Sequence, residues 1–256
     1  MYTLGIDLGN CSAKAVLYDS DLDRIAAQEI IVSMEECAVL ADRVRNSVLS
    51  AGGLSGKSID KVVCTGVWGK EIPFADQYVS EPMAVSVGAL RLFPDCRTIL
   101  TMGAERCIAI QCNEDGMLDK YAMNDKCAAG SGMFLETMAT VLEVGIEEMG
   151  KWSEQSSAPV AISNQCAVFA ESEVVGYIHR RVPKADIIRG LHDSLAHGSM
   201  GVLARVRPGA EIVFCGGVAK NKGMVQALSD ASGKRILVPD QPEFTEALGA
   251  ALCGAR

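Results

Sequence analysis

YTLGIDLGNCSAKAVLYD (Tyr2–Asp19) and RTILTMGAERCIAIQC (Arg97–Cys112) follow one plan. In the first, YTLGID and AKAVLYD read as strands joined by the turn LGNCS. In the second, RTILTMG and RCIAIQC read as strands around the turn GAE. Each hairpin opens a run of alternating elements. After the first come a strand RIAAQEIIV, a helix reaching about Leu49, a strand KVVCTG and a helix over EPMAVSVGALRLF. After the second come helices from Gly130, Gln165 and Ala185, then the strand EIVFCGG, a helix from Asn221, the strand RILVP and a last helix TEALGAALCG. Strands alternating with helices predict a mixed α/β protein, and two hairpin-led halves predict a duplicated design with a cleft between them. Pro94 and Asp95 mark the boundary, giving lobes at 1–93 and 94–256, with the last helix free to return to the N-terminal lobe.

Composition narrows the partners. The chain has 256 residues, 49% hydrophobic and 22% charged, which is globular usage. A net charge of −8 argues against a nucleic-acid partner, which would need a basic face. No apolar run approaches a membrane span, and MYTLGIDLG lacks the charged and apolar regions of a signal peptide, so a cytoplasmic protein without a membrane role is expected. Ten cysteines then imply a reducing compartment and free thiols. There is no CxxC pair. Cys64 and Cys215 lie in strand-like runs and Cys253 in the last helix, where they pack as small hydrophobes. Zinc is disfavoured: His192 and His197 are offset by five residues, on different helix faces, and read as a solvated helix surface.

Three turns suit phosphate. Ile6-Asp7-Leu8-Gly9-Asn10-Cys11 sets a carboxylate at a strand end and then a tight glycine turn, with Ser12 and Lys14 just beyond. Met102-Gly103-Ala104-Glu105 occupies the matching hairpin of the second half. Phe214-Cys215-Gly216-Gly217-Val218-Ala219 joins a strand to a helix, where backbone can approach a ligand closely. Together they point to a nucleotide between two lobes. AGGLSGKS (51–58) fits a permissive P-loop pattern but has a helix before it and a strand after it, the reverse of the order a P-loop needs, so it reads as a helix end and turn. GVWGKE has the wrong spacing.

Two cysteines stand apart. NDKCAAGSG (124–132) puts Cys127 just ahead of a helical run, and SNQCAVFAESEV (163–174) does the same for Cys166. A helix N-terminus favours thiolate over thiol. Cys127 read alone fits a buried thiol in a tight turn better than a ligand, and Cys166 changes that balance. Two thiolates are too few for an iron–sulfur cluster, but a two-fold axis would double them.

With NDKCAAGSGMFLETMA, QCAVFAESEV, CGGVAKN and ALGAAL in view, the chain resembles the activator (component A) of 2-hydroxyacyl-CoA dehydratases, in the group that includes the ATPase subunits of benzoyl-CoA reductases. The resemblance spans nearly the whole chain. It implies the duplicated actin/sugar-kinase (ribonuclease-H-like) two-lobed ATPase fold. It also implies a homodimer holding one [4Fe–4S] cluster between subunits on Cys127 and Cys166 of each, and ATP or ADP with Mg2+ in the interdomain cleft. The implied activity is ATP-dependent passage of one low-potential electron, drawn from ferredoxin or flavodoxin, to a dehydratase or related double-cluster reductase. Carried onto this chain, the catalytic positions are Asp7 and Glu105. The nucleotide contacts are Gly9, Asn10, Cys11, Ser12, Lys14, Gly103, Ala104, Gly130, Gly132, Gly216, Gly217, Val218, Asn221 and Glu243.

The departures fall in the nucleotide half. The family's D-x-G-S-T turn is here Asp7-Leu8-Gly9-Asn10-Cys11, and D-I-G-G-Q-D is Thr101-Met102-Gly103-Ala104-Glu105-Arg106. T-G-A-L-G-A-A-L carries Glu246 for its glycine, and T-G-Y-G-R has become Thr65-Gly66-Val67-Trp68-Gly69-Lys70. The cluster half is intact. Nucleotide binding is therefore expected to survive better than hydrolysis. The alternatives are a non-hydrolysing iron–sulfur scaffold protein with a degenerate nucleotide site, and a small-molecule kinase of the same fold, which leaves the cysteine motifs unexplained.

Overall fold

A computed structural model describes residues 1–54, 59–124, 131–164 and 166–255. Cys127, Gly130 and the second half of AGGLSGKS lie outside the described residues. The chain forms two compact units. One takes Met1–Cys96, Cys112–Leu118 and the residues from Glu243 onward; the other takes Arg97–Gln111 and Asp119–Pro242.

The first unit is built on the quoted hairpin. β1 (Tyr2–Leu8) and β2 (Ser12–Asp19) pair antiparallel, and β3 (Arg24–Val32) pairs antiparallel to β2. β4 (Lys61–Thr65) adds parallel to the other side of β1, followed by the two-residue β5 (Gln77–Tyr78), giving the order β3-β2-β1-β4-β5. Alternation divides β1 between two faces. Leu4, Ile6 and Leu8 meet Leu40, Ala41, Val44 and Val48 of α1 (Cys37–Ala51). Gly5 and Asp7 face the other way, toward α8 (Thr245–Gly254). No side chain fits at Gly5, because a Cβ there would sit 2.0 Å from the Ala247 carbonyl oxygen. α1 ends at Gly52, ahead of β4, so the P-loop-like stretch does follow a helix and precede a strand.

α8 also crosses α2 (Glu81–Leu92) at glycines. A Cβ on Gly249 would lie 1.7 Å from the Ala84 carbonyl oxygen, and one on Gly88 2.0 Å from that of Thr245. The helices touch backbone to backbone, so there is nowhere for a methyl group to go. Gly249→Ala should cost about 2–4 kcal/mol through forced separation of the two helices. Urea unfolding of the variant beside wild type checks this, and an unchanged midpoint refutes the close-crossing account.

The second unit repeats the order. β6 (Thr98–Met102) and β7 (Cys107–Cys112) form the hairpin, and β8 (Leu118–Met123) flanks β7. β9 (Glu211–Cys215) runs parallel to β6 and β10 (Arg235–Leu237) parallel to β9, giving β8-β7-β6-β9-β10. Counted from each hairpin, this is the arrangement of the first sheet. Five helices belong to it among the described residues: α3 (Gly132–Val141), α4 (Met149–Glu154), α5 (Ala167–His179), α6 (Lys184–Leu203) and α7 (Lys222–Ser232). Their core gathers Leu100, Met102 and Phe214 from strands with Phe134, Met138, Leu191 and Met224 from helices.

The sequence reading placed His192 on a solvated helix face, and the structure corrects this. His192 is 0% exposed, because it lies one turn after Ile188 and one before Leu195 and Ala196 on the buried face of α6; His197 is the exposed one. Cys64 and Cys215 are buried as expected of core thiols, Cys253 is half-buried in α8 against the core, and Cys107 is buried as well. Among the described residues no helix is long and apolar enough to cross a membrane.

Candidate functional site

In the first unit the site residues sit where β1 hands over to β2. The Gly9 N–H donates to the Ser12 carbonyl at 3.0 Å and closes the turn over Asn10 and Cys11. Asp7, 4% exposed, pairs across the ladder with Lys14, whose ammonium donates to Asp7 Oδ2 at 3.1 Å. Burial pulls the Lys14 ammonium down, but the charges of Asp7 and Glu246 and the bond to Asp7 outweigh it and hold its pKa above the ordinary value. Lys14 is therefore a fixed cation at the turn.

Gly66, just after β4, presses on the same place. Its φ is +89°, and a Cβ would stand 2.5 Å from both Asp7 Oδ1 and the Leu8 carbonyl oxygen. Only glycine suits that backbone and that gap. Two residues on, the Trp68 backbone N–H donates to the Leu8 carbonyl at 3.1 Å, and its indole Nε1–H donates to Asn10 Oδ1 at 2.9 Å. Asn10 and Trp68 both depart from the family pattern, and they are bonded to each other. Glu246, a third departure, acts on Lys14.

In the second unit the matching hairpin is closed by the Gly103 N–H on the Arg106 carbonyl at 2.8 Å, with Glu105 exposed at its tip. The hairpin carbonyls serve α3. The Gly132 N–H donates to Gly103 and that of Met133 to Ala104, both at 2.9 Å, which satisfies first-turn donors that a helix otherwise leaves open. Gly132, expected as a nucleotide contact, thus spends its N–H inside the protein. A Cβ there would meet Val218 at 2.9 Å and the Gly103 carbonyl oxygen at 3.0 Å. Gly216, at φ +85°, leaves no room for a Cβ, which would fall 2.4 Å from the Met102 carbonyl oxygen, whereas Gly217 faces open space. Gly103, Ala104, Gly132, Gly216 and Val218 therefore come together, with Gly217 at the open edge. Thr101 is 2% exposed in β6. Asn221 caps α7: its Oδ1 accepts from the Gly223 and Met224 N–H groups, and its Nδ2 donates to His192. Glu243 belongs to the first unit, half-buried in the turn leading into α8.

Cys166 is the N-cap residue of α5, in extended backbone and half-buried. The chain approaching it is tied to the helix it introduces. The Ser163 N–H donates to Glu173 Oε2 at 2.7 Å and the Tyr177 hydroxyl to the Ala161 carbonyl at 2.6 Å. Val168 and Phe169, 66% and 65% exposed, follow in the first turn of the helix, and Val175 and Ile178 are partly exposed further along it. By contrast, burial pushes the Cys64 and Cys107 thiols up to about 12, which leaves them unreactive. Among the described residues no three His, Cys, Asp or Glu side chains gather as a metal site. Sequence reading missed the Trp68 bond to Asn10 and the effect of the Glu246 charge on Lys14. The signal was present in both cases, because each residue replaces a smaller one in a recognisable turn.

Known proteins identify the family and the fold. The chain is 38% identical to the activator of lactoyl-CoA dehydratase of Anaerotignum propionicum, over 98% of this chain and 96% of that one. Among solved structures it resembles the activator of the 2-hydroxyisocaproyl-CoA dehydratase from Clostridium difficile with bound ADPNP, at a TM-score of 0.94 and 36% identity, covering 100% of this chain and 94% of that one. A ROK family glucokinase from Streptomyces griseus shares the fold alone, with a TM-score of 0.59 at 10% identity over 99% of each chain. The fold is thus of the actin/sugar-kinase type. The model of the BadF/BadG/BcrA/BcrD ATPase family matches residues 4–254, and the chain belongs to that family.

Proposed function

We propose that the protein is an ATP-dependent one-electron activator of a 2-hydroxyacyl-CoA dehydratase or related reductase, acting as a homodimer around a shared [4Fe–4S] cluster. The observation that carries this reading is Cys166 at the mouth of α5, half-buried, held by its own helix and followed by the exposed Val168 and Phe169. Two copies meeting on that face would bring their Cys166 residues toward one axis and cover Val168 and Phe169; Cys127, the other ligand in this reading, lies outside the described residues. A cluster held there supplies one-electron transfer at a potential tuned by the surrounding charges. The first-turn amides of α5 would offset the negative charge of such a cluster.

In the first unit, Lys14 would neutralise a bound phosphate and Asp7 would hold the shell of an accompanying magnesium ion. In the second unit, taken by itself, the open face at Gly217 would suit the adenosine part of a nucleotide such as the ADPNP bound by the Clostridium difficile relative. Ferredoxin or flavodoxin would supply the electron. The test is reconstitution under anaerobic conditions with reductant, ATP and a 2-hydroxyacyl-CoA dehydratase. Dehydration should rise from background only when protein and ATP are both present, and an ATP-independent rise or none at all refutes the reading. A second reading, a scaffold that binds nucleotide without hydrolysing it, is favoured by one observation: the Asn10 amide oxygen, where the family places a hydroxyl, is already taken by Trp68. Phosphate release separates the two.

A further inference from the structure

The Asn221 amide is held from three sides. α7 donates two backbone N–H groups to its Oδ1, at 3.0 and 3.3 Å. α4 presses from a second side, where a Cβ on Gly150 would lie 3.2 Å from that oxygen. α6 brings His192, whose Nε2 is 2.9 Å from Asn221 Nδ2. We propose that His192 is a positioning residue for the 216–220 turn, locking Asn221 so that the turn keeps one geometry toward the adenosine side of a nucleotide. This rests on the reading of that turn as a nucleotide contact.

Hydrogen-bond bookkeeping fixes the direction of the His192 bond. Oδ1 is committed to acceptance, so the other amide atom must be the donor, and His192 Nε2 must accept. The ring proton is then on Nδ1, which is buried and meets no partner among the described residues. A buried N–H without a partner is costly, so the ring keeps this tautomer because the Asn221 bond selects it. Burial, and then the neighbouring Arg189 charge, lower the His192 pKa to about 3, so the accepting lone pair persists at every ordinary pH. The seat is tight, since a Cβ on Gly223 would be 2.6 Å from ring atoms. One helical turn earlier on α6, Arg189 donates to Asp230 near the far end of α7 at 2.7 Å. α6 therefore holds α7 at both ends. The cap is continuous with the turn, because the Asn221 N–H donates to the Val218 carbonyl at 3.0 Å and the Ala219 N–H to that of Gly216 at 3.1 Å.

The test compares His192→Leu, which keeps bulk but not the acceptor, with His192→Gln, whose amide oxygen can stand near Nε2. Binding of a fluorescent ATP analogue and thermal melting are measured on each. Both variants should melt lower than wild type, but only Leu should weaken nucleotide binding, by about tenfold, with Gln within about twofold. Should His192→Leu not fold, Asn221→Ser answers the same question, because serine still caps the helix but is too short to reach the ring; the same tenfold loss is expected. Nitrogen-15 spectra of the wild type should show the Nδ1–H tautomer. Wild-type affinity in whichever of the two variants folds, or an Nε2–H tautomer, overturns the proposal alone. Failure of wild type to bind the analogue overturns the nucleotide reading and this proposal with it.

Discussion

Cys166→Ala should leave the protein without iron. Anaerobically purified wild type is expected to hold about four irons and four sulfides per dimer, the usual content of a four-thiolate cluster. One substitution removes two of the four ligands at once, because each subunit contributes the same residue. The core thiols cannot take over. Cys107 is 1% exposed with its pKa pushed up to about 12, so Cys107→Ser should leave iron content unchanged. Phe169→Glu offers an independent check. It puts a charge on the 65% exposed ring position beside Cys166, so it should yield monomers that lose iron with both cysteines intact. Full iron in Cys166→Ala, or a stable iron-loaded monomer of Phe169→Glu, rules out a cluster bridging subunits.

Lys14→Met should slow ATP hydrolysis by about 10²–10³-fold, the usual loss when one charge-stabilising group is removed. The ammonium is nearly enclosed, bonded to Asp7 at 3.1 Å and held charged also by the field of Glu246. Without it, both carboxylates face the incoming phosphates unscreened, so affinity should fall together with turnover. Wild-type turnover should itself sit below that of relatives with the unaltered motifs. Thr101 cannot act as a carboxylate, and Glu105 brings negative charge where the pattern has an amide. Thr101→Asp combined with Glu105→Gln should therefore raise the rate. Phosphate release under saturating ATP measures both directions. A Lys14→Met rate close to wild type removes Lys14 from the reaction, and an unimproved double variant places the cause of slow turnover elsewhere.

The hairpins were readable in advance because alternation and turn chemistry are local. Ile6, Leu8, Ala13 and Ala15 point to one face whatever the rest of the chain does. β8 was missed because LDKYAM is mostly exposed and polar, and β5 because two residues carry no period. α4 is too short to show a stripe. His192 was misjudged by counting its spacing to His197 rather than to Ile188 and Leu195. At the nucleotide turns each altered residue, read singly, looked like a loss of function. That Asn10 bonds to Trp68, and that Glu246 acts on Lys14, are facts of proximity between residues far apart in the chain, and no local pattern encodes them. Cys166 was readable from the helical run behind it; its neighbour in the proposal, Cys127, lies outside the described residues.

The glycine-lined seat of α8 has a consequence for synthesis. β1 is translated well before α8, yet one of its faces is covered by Ala247 and Ala251, which are made only after the whole of 97–242. Until then Val16 and Tyr18 have no lid, and the first sheet must wait with one side bare. The second unit has no such debt, since its sheet and helices come from one stretch interrupted only at 112–118. On a ribosome, therefore, the half of the protein that begins second should finish first, and the first-made half should be the one that needs a chaperone's shelter.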